Sequence, residues 1–391
     1  MSTQTEGSSS AAPSYDIASW RGRIPLLTSL IPMNNCSQAP QTDATRAAAE
    51  RYLDSWNQSG MDWDAWVEEV QLAKSEFARL INASSDEIAV FSSVSEATSA
   101  VASAIEFSGE RRKVVVTEAE FPTIGHVWLA QARRGAHVAW VPVRDGVIDA
   151  DAYDALVDEQ TAIVSACHGY YLNGYTQDLA SLANLVHARG ALLYVDAYQT
   201  LGAVPVDVRA IGADFLAAGN LKFLMGIPGI AFLYVRRELV GRLHPLTTGW
   251  FGRANPFAFQ VKQLDWAATA SRFDMGTPPI INAYVARAGM AIINEIGVDD
   301  IRRWLEVLGQ RLIDGGRERG FTLHGTADMS RKTATTAFVV DDSHSVELTM
   351  RRRGIVPSAR GPVIRLAPHF YNTIADVDTA LDVLASVVPA R

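Results

Sequence analysis

From residue 43 to about residue 80 the apolar positions recur at helical spacing, with Trp56, Trp63 and Trp66 set among acidic and small residues. Beyond this stretch, short apolar runs alternate with amphipathic ones. Residues 87–91 (EIAVF), 113–116 (KVVV), 138–143, 162–166, 192–195 (LLYV), 215–218 and 230–235 (IAFLYV) read as strands. Residues 95–105, 124–134 and 179–189 read as helices, the last two stopped by Gly135 and Gly190, and Asp145-Gly146 marks a turn. Strands that are apolar throughout, separated by helices, predict a mostly parallel sheet with helices on both faces. Past Arg272 the pattern changes. Helices over 280–296 and 299–317, strands at 337–340 and 363–366 and a last helix after Asp376 predict a compact α+β unit. The expected division is a disordered tail (1–15), an N-terminal arm (16–42), a large α/β domain (43–270) and a small C-terminal domain (271–391), with the boundary falling between about 255 and 295.

Composition narrows the function classes. Thirty-five basic against 43 acidic side chains leave a net charge of −8, which gives neither nucleic acid nor an acidic membrane an electrostatic reason to bind. The one basic run, Arg351-Arg352-Arg353, reads as a solvated helix end. Two distant cysteines, Cys36 and Cys167, form no disulfide framework and fit a reducing compartment. No apolar run approaches the roughly 20 residues of a membrane helix, and the first residues lack the basic start and apolar core of a signal peptide. A cytoplasmic location is expected. The eight histidines are scattered without ligand spacing, so no metal site is expected. No Gly-x-Gly-x-x-Gly turn follows the first strand, which argues against a nicotinamide-binding oxidoreductase.

Two residues suggest chemistry. Among five lysines, only Lys222 sits in an apolar, glycine-flanked setting, Gly219-Asn220-Leu221-Lys222-Phe223-Leu224-Met225-Gly226. Burial there disfavours the ammonium, as a lysine that forms a Schiff base requires. A lysine snorkelling at a strand end is the plainer alternative. Asp196 directly follows the apolar run ALLYV, at the end of a strand where open α/β sheets bind ligands. A turn or helix N-cap aspartate is its plainer alternative. Gln199, three residues on, is a neutral donor. A Schiff-base lysine paired with a carboxylate under a ring nitrogen is what pyridoxal 5'-phosphate (PLP) needs to act as an electron sink.

The stretch VDAYQTLGAVPVDVRAIGADFLAAGNLKFLMGIPGIAFLYV, residues 195–235, resembles the core of the class V aminotransferases, and the likeness runs from about residue 30 to the C-terminus. That superfamily includes cysteine desulfurases, kynureninases and isopenicillin epimerase-like proteins. The resemblance implies PLP fold type I, a large domain with a mostly parallel seven-stranded sheet and a smaller α+β domain. It also implies that Lys222 carries the cofactor, Asp196 partners the pyridine nitrogen and Gln199 bonds the phenolic O3'. Ser95, Glu96 and Ala97, in Ser93-Val94-Ser95-Glu96-Ala97-Thr98, match the phosphate-binding turn, where helix-start amides favour an anion. Phe121, in Glu120-Phe121-Pro122-Thr123, matches the residue stacked on the pyridine. His168 and Tyr171 are implied at the cofactor face and Tyr170 beside the substrate. Thr277 in the Gly-Thr-Pro block would reach the phosphate of a neighbouring subunit, implying a homodimer with shared active sites. Arg365 would take the carboxylate of an amino-acid substrate as a bidentate pair.

The sequence departs from the desulfurase pattern in two places. Gly219 and Leu221 stand where desulfurases place Ser and His, and the segment 353–362 (RGIVPSARGP) carries no cysteine. Persulfide-forming chemistry is therefore disfavoured. The expected activity is an amino-acid β-lyase of C–S or C–C type, because Phe-Pro-Thr is similar to the kynureninase branch. Transamination and epimerisation share the same opening and stay open. A cofactor-less binding protein that keeps the fold is the alternative from a different class.

Overall fold

The computed structural model describes residues 12–388. Most of the expected tail, residues 1–11, lies outside the described residues. The helical stretch after residue 43 is two helices, α1 (Asp43–Ser59) and α2 (Trp63–Leu80). Gly60, at φ +68°, breaks them, and Asp62 caps the second. The alternating region follows as β1 (Ile88–Phe91), α3 (Val94–Ala104), β2 (Lys113–Thr117), α4 (Pro122–Ala130), β3 (His137–Val141), α5 (Asp151–Leu156), β4 (Thr161–Cys167), α6 (Leu179–Ala188), β5 (Leu192–Asp196), β6 (Phe215–Gly219) and β7 (Ala231–Val235). The expected helix over 124–134 starts earlier, with Pro122 in its first turn, and tightens to a 3₁₀ turn over Gln131–Arg134 before Gly135.

These seven strands form one sheet in the order β1-β7-β6-β5-β4-β2-β3. Neighbours from β6 through β3 run parallel, and β7 is antiparallel to both β1 and β6. Strands β1, β5 and β6 lie deep in the core, as their continuous apolar runs require. Because β2, β4, β5 and β6 point the same way, the segments that leave them meet at one edge. Register fixes this: Cys167 pairs with Asp196, and Asp196 with Ala217.

The rest of the chain is α7 (Ile280–Ile296), α8 (Val298–Glu318), β8 (Thr336–Val339), α9 (Ser343–Arg352), β9 (Ser358–Arg360), β10 (Val363–Leu366) and α10 (Ile374–Val387). A three-stranded antiparallel sheet, β8-β10-β9, puts Arg365 on its central strand. Arg351, Arg352 and Arg353 lie exposed at the end of α9, the solvated helix end read from the sequence. Helix α7 packs lengthwise against α1 and α2.

One buried ion pair locks the segment before α7 to the large sheet. Lys74 of α2 donates to Asp274 Oδ2 at 2.7 Å, and Asp274 Oδ1 accepts the backbone N–H of Val90 in β1 at 2.7 Å. Removing one partner of a buried pair strands the other charge. Lys74→Met is therefore expected to lower unfolding free energy by about 3–5 kcal/mol, and Lys74→Met combined with Asp274→Asn should recover much of that. Urea unfolding of the two variants checks it, and equal losses in both would contradict the assignment.

Candidate active site

Lys222 lies in the loop that leaves β6. Its amine is 4.1 Å from the centre of the Tyr198 ring and 5.8 Å from that of Phe121, so two aromatic faces flank it. Phe121 is 45% exposed, an open ring beside a largely buried amine. Asp196 ends β5 and is buried; one carboxylate oxygen accepts the Tyr198 N–H at 2.8 Å. Burial lowers the Lys222 amine from its ordinary 10.5 to about 8, against the opposing pull of Asp196. Burial likewise raises the Asp196 carboxyl, while the Tyr198 N–H and the charge of Lys222 hold it down. The two groups therefore act on each other electrostatically.

The residue before Lys222's loop explains the Tyr198 ring. A Cβ on Gly219 would sit 2.2 Å from the Tyr198 Cζ and Oη, so only glycine leaves that ring its place. The departure at Gly219 and the tyrosine three positions into the Asp-x-x-Gln block are thus one feature. Beside them Asn220 is fully buried, with neither its amide nitrogen nor its oxygen partnered.

The other expected residues are placed as follows. Gln199 is buried and donates to the Cys36 carbonyl at 3.1 Å. His168 is buried, its Nδ1 2.9 Å from Thr200 Oγ1, and burial, aided by the charge of Arg302, lowers it to about 4, so the ring is neutral. The Phe121 and Tyr171 rings meet edge-on at 5.4 Å, and Tyr170 packs on Tyr171 at 5.4 Å. Burial first, then the neighbouring Tyr171, raises the Tyr170 phenol to about 12.

At the start of α3, Ser93 is the N-cap, and Ser95 Oγ is 3.2 Å from Thr123 Oγ1 in the first turn of α4, two residues after Phe121. The Glu96 carboxylate folds back onto the Ser92 N–H and hydroxyl, and its own N–H bonds Ser93 Oγ. The Ala97 N–H bonds the Ser93 carbonyl. The amides of Val94 and Ser95 lie ahead of the first intrahelical bond and face outward. Thr277 lines a cleft of about 290 Å³ that also holds Ser92 and Glu96. A cavity of about 620 Å³ lies elsewhere, between α5, α6 and the turn at Ser330 and Arg331.

Arg365 is 1% exposed and, among the described residues, pairs with no carboxylate. Its guanidinium donates to the Tyr171 carbonyl at 2.5 Å, Ser37 Oγ at 3.1 Å and Ser358 Oγ at 2.6 Å. Its Nε also donates to the Ser358 carbonyl at 3.4 Å, so all its acceptors are neutral, and the two hydroxyls bond each other at 2.8 Å. The positive charge of Arg365 acts on Lys222, so the two lie in one field.

Sequence reasoning did not single out Cys36, Ser37, Tyr198, Asn220, Ser358 or Arg360 as site residues. Cys36 and Ser37 come from the N-terminal arm, and the arm reaches the site through long-range backbone bonds. Asn35 N–H donates to the Ala367 carbonyl at 3.2 Å and Ala39 N–H to the Leu221 carbonyl at 2.9 Å. Ser358 and Arg360 belong to β9, and nothing local marks them. Tyr198 alone had a signal, since it interrupts a motif whose other members were read as ligands.

Comparison with known proteins agrees with this geometry. An uncharacterized aminotransferase of Bacillus subtilis is 36% identical over 367 residues, covering 94% of this chain and 97% of the relative. A probable cysteine desulfurase of Methanothermobacter thermautotrophicus is 28% identical, with 94% and 97% covered. A kynureninase of Pseudomonas fluorescens is 26% identical, with 86% and 82% covered. Among solved structures, a cysteine desulfurase of Thermococcus onnurineus superposes with a TM-score of 0.86 at 22% identity, over 97% of this chain and 99% of that one. The aminotransferase class-V family model matches residues 39–378, and the chain belongs to that family of PLP-dependent enzymes.

Proposed function

We propose that this enzyme is an amino-acid β-lyase in which Lys222 binds PLP and then moves the substrate's Cα proton. The observation that carries the reading is the Lys222 amine, held near 8 between two aromatic rings and opposite Asp196. The residues present fit the cofactor. Phe121 would offer a face for its ring, Asp196 a carboxylate for its nitrogen, Gln199 a donor for its phenolic oxygen, and the α3 start with Ser95 a seat for its phosphate. His168, neutral and fixed by Thr200, contributes shape and hydrogen bonding rather than charge. When bound, PLP supplies an aldehyde carbon that exchanges amines and a ring that draws electrons from Cα.

Arg365 binds the substrate carboxylate by exchanging neutral hydroxyl contacts for a bidentate charge-assisted pair. Tyr170 and Tyr171 line the substrate side. Lys222 Nζ, neutral in half the molecules near pH 8, takes the Cα proton as general base. Loss of a β-substituent then completes the lyase reaction. Desulfurase chemistry is disfavoured because the thiols of Cys36 and Cys167 are both buried and neither lies on the 353–362 segment. The aminotransferase named in Bacillus subtilis supports transamination as a second reading.

The same proposal includes a homodimer in a reducing, cytoplasmic setting, with a domain boundary near residue 270. Support for the dimer is an apolar face on the 246–264 loop, where Leu246, Phe259, Leu264 and the 97% exposed Val261 stand open to solvent. Among the described residues, no helix is long and apolar enough to cross a membrane.

Four outcomes are expected. Reaction of the stripped enzyme with PLP should accelerate as pH rises and level off above about 8 rather than near 10.5, since the neutral amine is the nucleophile; Lys222→Ala should give no visible cofactor band that survives dialysis. Arg365→Lys should raise KM by about 10–100-fold with a smaller change in kcat, because a point charge replaces the planar fork. An amino-acid panel should release a keto acid and ammonia without an added acceptor; a strict acceptor requirement would mark transamination, and inversion alone epimerisation. Val261→Asp should shift the protein toward monomer in light scattering.

A further inference from the structure

Glu120 is the residue before Phe121, on the turn that leaves β2, yet the two side chains part. Phe121 opens to the cleft, whereas Glu120 is 6% exposed and neither of its carboxylate oxygens has a hydrogen-bond partner. The groups around it come from four elements. They are Asp196 and Tyr194 of β5, the thiol and backbone N–H of Cys167 at the end of β4, Tyr153 of α5, and the Ala119 carbonyl of its own turn, which faces the Cys167 thiol. None is basic.

Their side-chain hydrogens are committed elsewhere. Tyr153 donates its hydroxyl to Gln177 Oε1 at 2.9 Å. The Thr98 hydroxyl donates to the Val94 carbonyl at 2.7 Å, so at the 2.6 Å contact between Thr98 Oγ1 and the Tyr194 hydroxyl the tyrosine is the donor. Cys167 directs its Sγ to the Ala119 carbonyl at 3.6 Å. An ionised carboxylate accepts only, and burying one with a single backbone N–H, that of Cys167, to accept from is among the costliest placements a side chain can have. Asp196 is better provided: it has the Tyr198 N–H at 2.8 Å and the charge of Lys222 opposite. Where two acidic groups compete for one negative charge, the better-solvated one keeps it.

We propose that Glu120 is a neutral carboxylic acid in the folded enzyme, a positioning residue that stores a proton behind Asp196 and leaves Asp196 as the single negative charge facing Lys222. Burial first, and the charge of Asp196 second, push the Glu120 carboxyl well above the carboxylate range, in agreement with the geometry. The consequence for the site is a charge count. A second carboxylate here would hold the Lys222 amine protonated and oppose its exchange with substrate. The inference goes beyond the lyase reading, and its central test uses the chain stripped of cofactor, so it stands or falls separately.

The sign follows from linkage. A carboxyl whose folded pKa exceeds its unfolded value contributes stability that is full below the unfolded pKa, about 4.3, and is lost as pH rises toward the folded pKa. The isosteric amide in Glu120→Gln has no proton to lose. The ratio of folding constants, Glu120→Gln over wild type, should therefore climb about tenfold per pH unit above pH ~4.3 until the folded pKa is reached. Urea unfolding of the stripped full-length chains across pH ~4.5–8 reads this directly. A ratio flat with pH overturns the proposal. Glu120→Leu should show the same slope, and failure of both neutral variants to fold overturns it too, because an unpartnered neutral acid is replaceable by a neutral side chain. In PLP-loaded Glu120→Gln, the pH midpoint of the visible absorption band should match wild type; a downward shift would mean that a negative charge had been removed.

Discussion

The site depends on a contest between desolvation and Coulomb attraction across the Lys222–Asp196 gap. Burial penalises the charged form of each, and each partner's charge partly offsets the other's penalty. The result is an amine that loses its charge near pH 8 rather than near 10.5, with the neighbouring carboxylate opposing that loss. Such a balance needs both groups to be buried and opposed, and parallel strands provide that. The carboxyl ends of β2, β4, β5 and β6 fall at one edge, so the turns after them bring Glu120, Phe121, His168, Asp196 and Lys222 together although they span a hundred positions of sequence.

Legibility in the sequence followed the range of the interaction. The strands were readable because a doubly buried strand must be apolar throughout, and 192–195 and 215–218 carry that mark within a few residues. Lys222 and Asp196 were readable because a charged residue bordering such a run is anomalous. Errors came where local signals compete: Gly60 splits what periodicity joins, and Pro122 starts a helix earlier than its first apolar turn suggests. Of helix α9 only the basic end was read, and strand β9 went unread, both being short, polar and set by tertiary contacts. The arm residues Cys36 and Ser37 were invisible for a deeper reason. Their place is set by backbone bonds to Leu221 and Ala367, hundreds of positions away, and such bonds leave no side-chain pattern.

Arg365 shows the same logic from the opposite side. A guanidinium in the central strand of a small sheet would normally demand a buried carboxylate, yet its acceptors are two carbonyls and two serine hydroxyls. These satisfy its donors without neutralising its charge. A permanent salt bridge would have to be broken by any incoming acid, whereas a hydroxyl turns away cheaply. Its field also helps depress Lys222, so a carboxylate bound at Arg365, as proposed for the substrate, would remove one of the influences that keep the amine neutral.

Gly219 and Tyr198 bear on what distinguishes this chain within its family. With hydrogen in place of a side chain at 219, the tyrosine ring lies directly over the amine, and any larger residue would evict it. Two aromatic walls, Phe121 and Tyr198, thus border the lysine where the desulfurase pattern expects polar residues before it. Aromatic walls exclude water and lower the local dielectric, which strengthens the Asp196–Lys222 interaction and raises the penalty for any further unpaired charge. In that setting a second ionised carboxyl at Glu120 is the least tolerable group, so the apolar lining and the neutral acid behind it belong to one electrostatic arrangement.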